Sequence, residues 1–159
     1  MASILRTLEF LALSVWLGSD AFLSFVVAPG AFRILGSRDA AGAIVGYSLT
    51  RMHLGGIVLG VALLLVRLVR VRSFAGLAQP AALCVALMIV LTAISQYTVS
   101  AKMAALRVQM GSIQATAADS PLLVEFSKLH TISVSLESGV LLVGFAAMYF
   151  MVRELALAH

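Results

Sequence analysis

Four long apolar stretches divide the chain, separated by short polar turns. A helix crossing the hydrocarbon core of a membrane takes ~20 mainly apolar residues, and each stretch meets that length. The first covers roughly 4–35. Pro29-Gly30 disturbs its far end, because proline lacks a backbone donor and glycine relaxes the backbone, so a kink or break is expected there. The turn Gly36-Ser37-Arg38-Asp39 follows. Ser37 is the expected N-cap of a second helix over 38–71, with Asp39 favourable beside its positive end. The basic turn Arg67, Arg70, Arg72, Ser73 closes that helix.

A third helix is expected over 80–110. Pro80 suits its first turn, where the missing N–H is harmless. Ala81 to Ala93 carry no charge, whereas Gln96 to Arg107 become amphipathic, so this helix should extend past the hydrocarbon. Gly111 to Ser120 form the one polar loop of any length. Asp119 or Ser120 should cap a fourth helix over 120–153, with Pro121 in its first turn. The pattern predicts an all-α fold: an integral membrane, antiparallel four-helix bundle forming a single domain over 1–159.

Composition agrees. The 159 residues are 62% hydrophobic and 11% charged, and mean hydropathy is +1.07. A soluble domain of this size cannot bury so much apolar surface. The net charge of +4 is spread between apolar runs, which argues against nucleic acid and for basic residues flanking spans in a lipid bilayer. The lone Cys84 sits in an apolar run and reads as an inert thiol. The first apolar run is longer than the roughly 7–15 residues of a signal-peptide core and contains Asp20, so it reads as a retained first helix. Four spans put both termini on one side. The cluster at 67–72 favours cytoplasmic termini in a bacterial-type inner membrane, although Arg33, Arg38, Lys102, Arg107 and Lys128 stand on the other side.

Polar residues inside spans need a reason, since an intramembrane charge is expensive. Asp20 and Arg51 fall at similar depth on the first two helices and are the expected ion pair. His53 stands two residues beyond Arg51 and so faces another direction. Gln96 and Tyr97 lie near the same boundary on the third helix. On the fourth, His130, Ser133 and Glu137 recur on one face, His130 and Glu137 being roughly 10 Å apart. Together they outline a polar chamber in the half of the bundle away from the termini, with Glu9 the exception near the terminal side. A hydrogen-bonded network that fixes helix register explains such residues most simply. His53 and His130 could alternatively ligate haem b or a metal ion, with Met52 and Met103 as soft ligands. Asp20 or Glu137 could relay protons. Trp16 and the methionines read as packing residues, and Lys102, Arg107 and Lys128 as solvated helix ends. Gly42-x-x-x-Gly46 and Gly56-x-x-x-Gly60 read as close-packing positions within the bundle. No CxxC, HExxH, P-loop or GxSxG pattern occurs.

Several stretches in order carry a resemblance: Trp16-Leu17-Gly18, Phe25-Val26-Val27-Ala28-Pro29-Gly30-Ala31-Phe32, Arg38 to Gly46, Met103-Ala104-Ala105-Leu106-Arg107, and Phe126-Ser127-Lys128-Leu129-His130 with Ser133. The chain resembles the transmembrane protein 205-like family, a four-helix domain of unknown function, over nearly its whole length. The resemblance implies four spans and a non-cytoplasmic loop between helices three and four. Two departures stand out. Ser100-Ala101 replaces a proline-containing segment, which implies a straighter third helix, and Glu137 stands where the family can carry an asparagine. A weaker likeness to haem proteins of the protoporphyrinogen-oxidase type lacks their early histidine and transfers no activity.

These observations lead to a membrane protein without a catalytic signature: a non-catalytic subunit, of a larger membrane complex or a homo-oligomer, or a small-ligand binding protein with a polar intramembrane site. The alternatives are a haem- or metal-binding redox protein using His53 and His130, and a small proton-coupled transporter using Asp20 or Glu137.

Overall fold

The computed structural model describes residues 2–157; Met1, Ala158 and His159, the ends of the expected unit, lie outside the described residues. Four helices dominate: α1 (Ser3–Ile34), α2 (Arg38–Val71), α3 (Pro80–Met110) and α4 (Pro121–Ala156). Each is long and apolar enough to cross a membrane, and no strand occurs among the described residues. The protein is an all-α four-helix membrane bundle. Each helix packs on its sequence neighbours, and α4 closes the ring against α1.

The helix ends follow from local chemistry. The Ser37 hydroxyl accepts from the Ala40 N–H at 3.3 Å and caps α2. Arg72 ends α2 in the left-handed conformation at φ 55°. A short 3₁₀ turn, Phe74–Ala78, leads to Pro80 in the first turn of α3. Gly111, at φ 70°, ends α3 where an L side chain would be strained. Ser120 precedes Pro121 but makes no side-chain cap, so neither expected capping bond forms there. The fourth helix runs three residues past the expected 153, to Ala156.

Two π-helical turns interrupt the rods, at Leu23–Val27 in α1 and Ser95–Ser100 in α3. The first accounts for Pro29 differently from the expected kink. Pro29 has no N–H and its ring crowds the carbonyl one turn back. The helix absorbs this upstream, where the Ala28 N–H reaches back to the Leu23 carbonyl, and then continues to Ile34. The second turn lies where the resemblance implied a straighter helix, so α3 is not regular there.

The apolar core fills the middle and the terminal side. Leu13, Trp16, Leu63, Val85, Met88 and Val140 are all but sealed from solvent. Lipid chains are as apolar as these side chains, so close packing rather than hydrophobicity holds membrane helices together. Small residues supply the fit. A Cβ on Gly56 would stand 2.3 Å from the Trp16 indole, and one on Gly60 2.6 Å from it. Likewise, a Cβ on Gly144 would collide with Leu17 at 2.2 Å. Trp16 is therefore the wedge that α2 accommodates by having no side chain at two successive turns.

Candidate functional site

On the side away from the termini the bundle opens. There Ala28–Ile34 packs on α2 and Ala101–Met110 on α4, and neither touches the opposite hairpin through its backbone. The two hairpins diverge and leave a cavity of about 660 Å³ between them. Small-molecule sites run to roughly 300–1,000 Å³, so this is ligand-sized. Apolar side chains such as Leu23, Phe32, Leu49, Met103 and Leu141 make most of its wall. Both π-helical turns border it, through Leu23, Ser24 and Phe25 on one side and Ser100 on the other.

Its floor is polar. Glu137 lines the cavity and is buried at 8% exposure. Its Oε1 lies 2.6 Å from His53 Nε2 and accepts from the Ser95 hydroxyl at 3.0 Å. His53, wholly buried, places Nδ1 2.8 Å from the Gln96 side-chain oxygen. Because Gln96 offers an acceptor there, Nδ1 carries a proton and donates. One further proton then sits between Nε2 and Oε1. Whether imidazolium faces carboxylate or imidazole accepts from the acid, the pair is neutral as a whole. A neutral pair is what an apolar interior tolerates.

The π-helical turn makes this possible. Consecutive residues of a regular helix diverge by about 100°. Widening at Ser95–Ser100 lets adjacent Ser95 and Gln96 reach Glu137 and His53 respectively. Such turns inside α-helices frequently mark functional sites. The second oxygen, Glu137 Oε2, is shut off from solvent and has no hydrogen-bond partner among the described residues.

Asp20 is also fully buried and lies within electrostatic range of both Glu137 and His53. Its Oδ1 accepts from the Ser24 hydroxyl at 3.4 Å, and its Oδ2 has no partner among the described residues. The expected ion pair with Arg51 does not form. Arg51 points outward, exposed, with its guanidinium 5.3 Å from the Tyr47 ring one turn earlier. The two-residue offset that separates Arg51 from His53 decides this: only one of them can face inward, and it is His53. Tyr97 is exposed at 64% and takes no part in the floor. His130 is exposed and lines the cavity nearer its mouth, and Ser133 lines it while buried. His53 and His130 are not brought together as a ligand pair, since both His53 ring nitrogens are already engaged. No group of three or more His, Cys, Asp or Glu with metal-holding geometry exists among the described residues.

At the mouth stands Arg107, which the sequence presented as a solvated helix end. Its side chain instead crosses the gap. The guanidinium lies against α2, where a Cβ on Gly42 would meet Nη2 at 3.0 Å, and 5.8 Å from the Phe126 ring. Its Nε is closed to solvent and has no partner among the described residues. Asp39 carries a second function missed in the sequence. Its carboxylate accepts from the Ser112 hydroxyl at 2.6 Å and the Ile113 N–H at 2.7 Å, pinning the α3–α4 loop to the start of α2. The Arg38 N–H adds a bond to the Gln114 side-chain oxygen at 3.2 Å.

A separate charged cluster closes the terminal side. Arg67, fully buried, donates to both Glu154 oxygens at 2.6 and 2.7 Å, to Glu9 at 3.4 Å, to the Gly76 carbonyl at 3.0 Å and to the Gln79 side chain. Arg70 binds Glu9 at 2.5 and 3.0 Å. Two arginines against two glutamates make a balanced clamp joining α1, α2 and α4. Glu9 was visible as the odd carboxylate near the terminal side. Its partners Arg67 and Arg70 carry no sequence signal of the helix face they occupy, which is why they look like boundary charges.

No curated protein and no solved structure matches the chain. A family described as a domain of unknown function (DUF4149) matches residues 11–112, a segment holding Asp20, His53, Gln96 and Arg107 but not Glu137. With well over half of its length matched, the chain belongs to the DUF4149 family, a family of unknown function.

Proposed function

We propose that the protein is a non-catalytic, small-ligand binding membrane protein whose ligand enters the cavity between the hairpins, above the buried Glu137–His53 pair. One observation carries the reading. The hairpins part around a mainly apolar cavity of about 660 Å³ with the buried Glu137 in its lining. A ligand-sized apolar space with a few convergent polar groups is the usual form of a small-molecule site. Glu137 Oε1 is committed to His53 and Ser95, which fixes the carboxyl orientation before a ligand arrives. The transmembrane protein 205-like resemblance fits this four-span layout and adds no reaction to it.

Thermal unfolding in detergent micelles with increasing 1-dodecanol tests the reading. The alcohol should stabilise the protein, and Gly46→Leu, which places a side chain into the cavity wall, should abolish the effect. Equal stabilisation of both proteins would place the alcohol elsewhere and sink the proposal.

A second reading, proton-coupled transport, is favoured by the grouping of Asp20, His53 and Glu137 inside the spans, all within electrostatic range of one another. Proteoliposome flux should then depend on Glu137, and undiminished flux in Glu137→Gln would remove it. Cytoplasmic termini in a bacterial-type inner membrane complete the proposal. Their support is the Arg67, Arg70, Arg72 cluster beside a short connection, since the orientation rule counts Lys and Arg and gives little weight to their acidic neighbours.

A further inference from the structure

We propose that the cavity takes an acidic amphiphile, a single apolar chain ending in a carboxylate or phosphate, with the acid bound by Arg107 at the mouth. This rests on the reading of the cavity as a ligand site and adds the chemistry of the ligand.

Arg107 carries the inference. It lines the cavity, its side chain is partly buried, and its guanidinium makes no hydrogen bond or ion pair among the described residues; Nε is shut off from solvent, which leaves the Nη groups to meet a ligand. No carboxylate stands within ion-pair distance of it among the described residues. Asp39 lies within electrostatic range, but both its oxygens are occupied by the α3–α4 loop. Elsewhere in the molecule the treatment of buried arginine is different: Arg67 is surrounded by two glutamates, a glutamine and a backbone carbonyl. Arg107 is held in place without being neutralised. Gly42 and Gly46 offer it a surface without side chains, and the Phe126 ring offers a face. A guanidinium with free donors at the entrance of an apolar cavity is built to receive an anion, and its planar fork matches carboxylate or phosphate.

The shape agrees with a single chain. From Phe126, beside Arg107, to Glu137 at the floor is eleven residues of α4, roughly 16 Å along the helix. The wall between is mainly apolar, with Leu49, Met103 and Val134 along it. Arg38 also lines the mouth and adds a second positive charge. The headgroup therefore sits on the side away from the termini, where the hairpins part.

Equilibrium binding to the full chain in phosphatidylcholine nanodiscs, with radiolabelled dodecanoic acid, dodecyl phosphate and 1-dodecanol, tests the proposal. At least one acid should bind about tenfold or more tightly than the alcohol, as a charge-assisted pair requires. Which acid does so separates a fatty-acid source from a phosphate source. Arg107→Gln should erase the preference, so that acids and alcohol bind alike, and Arg107→Lys should keep part of it. Equal binding of acids and alcohol by the unaltered protein overturns the acid claim and leaves the cavity reading intact. Absence of binding by all three overturns both. The comparison within the unaltered protein decides the matter even if the glutamine variant does not fold.

Discussion

His53 and Glu137 meet across the bundle at 2.6 Å, the only ion-pair-type contact among the described residues outside the terminal-side clamp. The pair ties α2 to α4 at the floor of the cavity, with Gln96 and Ser95 of α3 holding it from the side. Leucine in place of Glu137 would leave His53 Nε2 and the Ser95 hydroxyl buried and unpaired. Breaking a buried pair in this way costs about 3–5 kcal/mol. Glutamine keeps one hydrogen bond to either partner and should cost about 1–3 kcal/mol. Unfolding in mixed micelles of the two variants should place them in that order.

The terminal-side clamp makes a sharper demand. Arg67→Ala strands Glu154 without its arginine and leaves Glu9 with Arg70 alone, at a cost of about 3–5 kcal/mol. Replacing Arg67 and Arg70 with Met and Glu9 and Glu154 with Gln together removes the charges as a set. That quadruple variant should recover most of the lost stability, because well-packed neutral side chains can substitute for a buried ion network. Yield of monodisperse protein and denaturant midpoint both report it.

Trp16 and Gly56 give a packing prediction. Any side chain at 56 must displace the indole, so Gly56→Ala should destabilise by about 1–3 kcal/mol even though alanine favours helix more than glycine does. Gly55, whose Cβ would meet nothing within 4 Å, is the control. Gly55→Ala should be neutral or mildly stabilising. Equal effects at both positions would contradict the wedge.

Orientation is directly measurable. With Cys84 replaced by alanine, a cysteine at Thr116, in the α3–α4 loop, should react with a membrane-impermeant maleimide added outside intact cells. Labelling only after the membrane is opened would place that loop, and with it the cavity mouth, in the cytoplasm.

Helix number, type and most boundaries were legible because each rests on a local signal. Ser37, Pro80 and Pro121 mark starts in the sequence and occupy those positions in the structure. The polar half-chamber was legible as depth along each helix. What depth cannot supply is azimuth. Asp20 and Arg51 share a depth, yet Arg51 faces out and His53 faces in, so the expected pair was drawn to the wrong neighbour. Regular helical spacing also could not place Ser95 and Gln96 together on the floor, because a π-helical turn changes the phase there. Arg107 looked like an ordinary basic helix end. Only the divergence of the two hairpins, set by packing between distant residues, turns it across a cavity.

The central claim is that this cavity is a ligand site floored by Glu137. Native mass spectrometry of protein released from its own membranes in mild detergent tests it most directly. The account predicts a bound small molecule of defined mass, retained by the unaltered protein and lost in Gly46→Leu. Protein that emerges at its bare mass, or that carries the same adduct with the cavity filled, would contradict it.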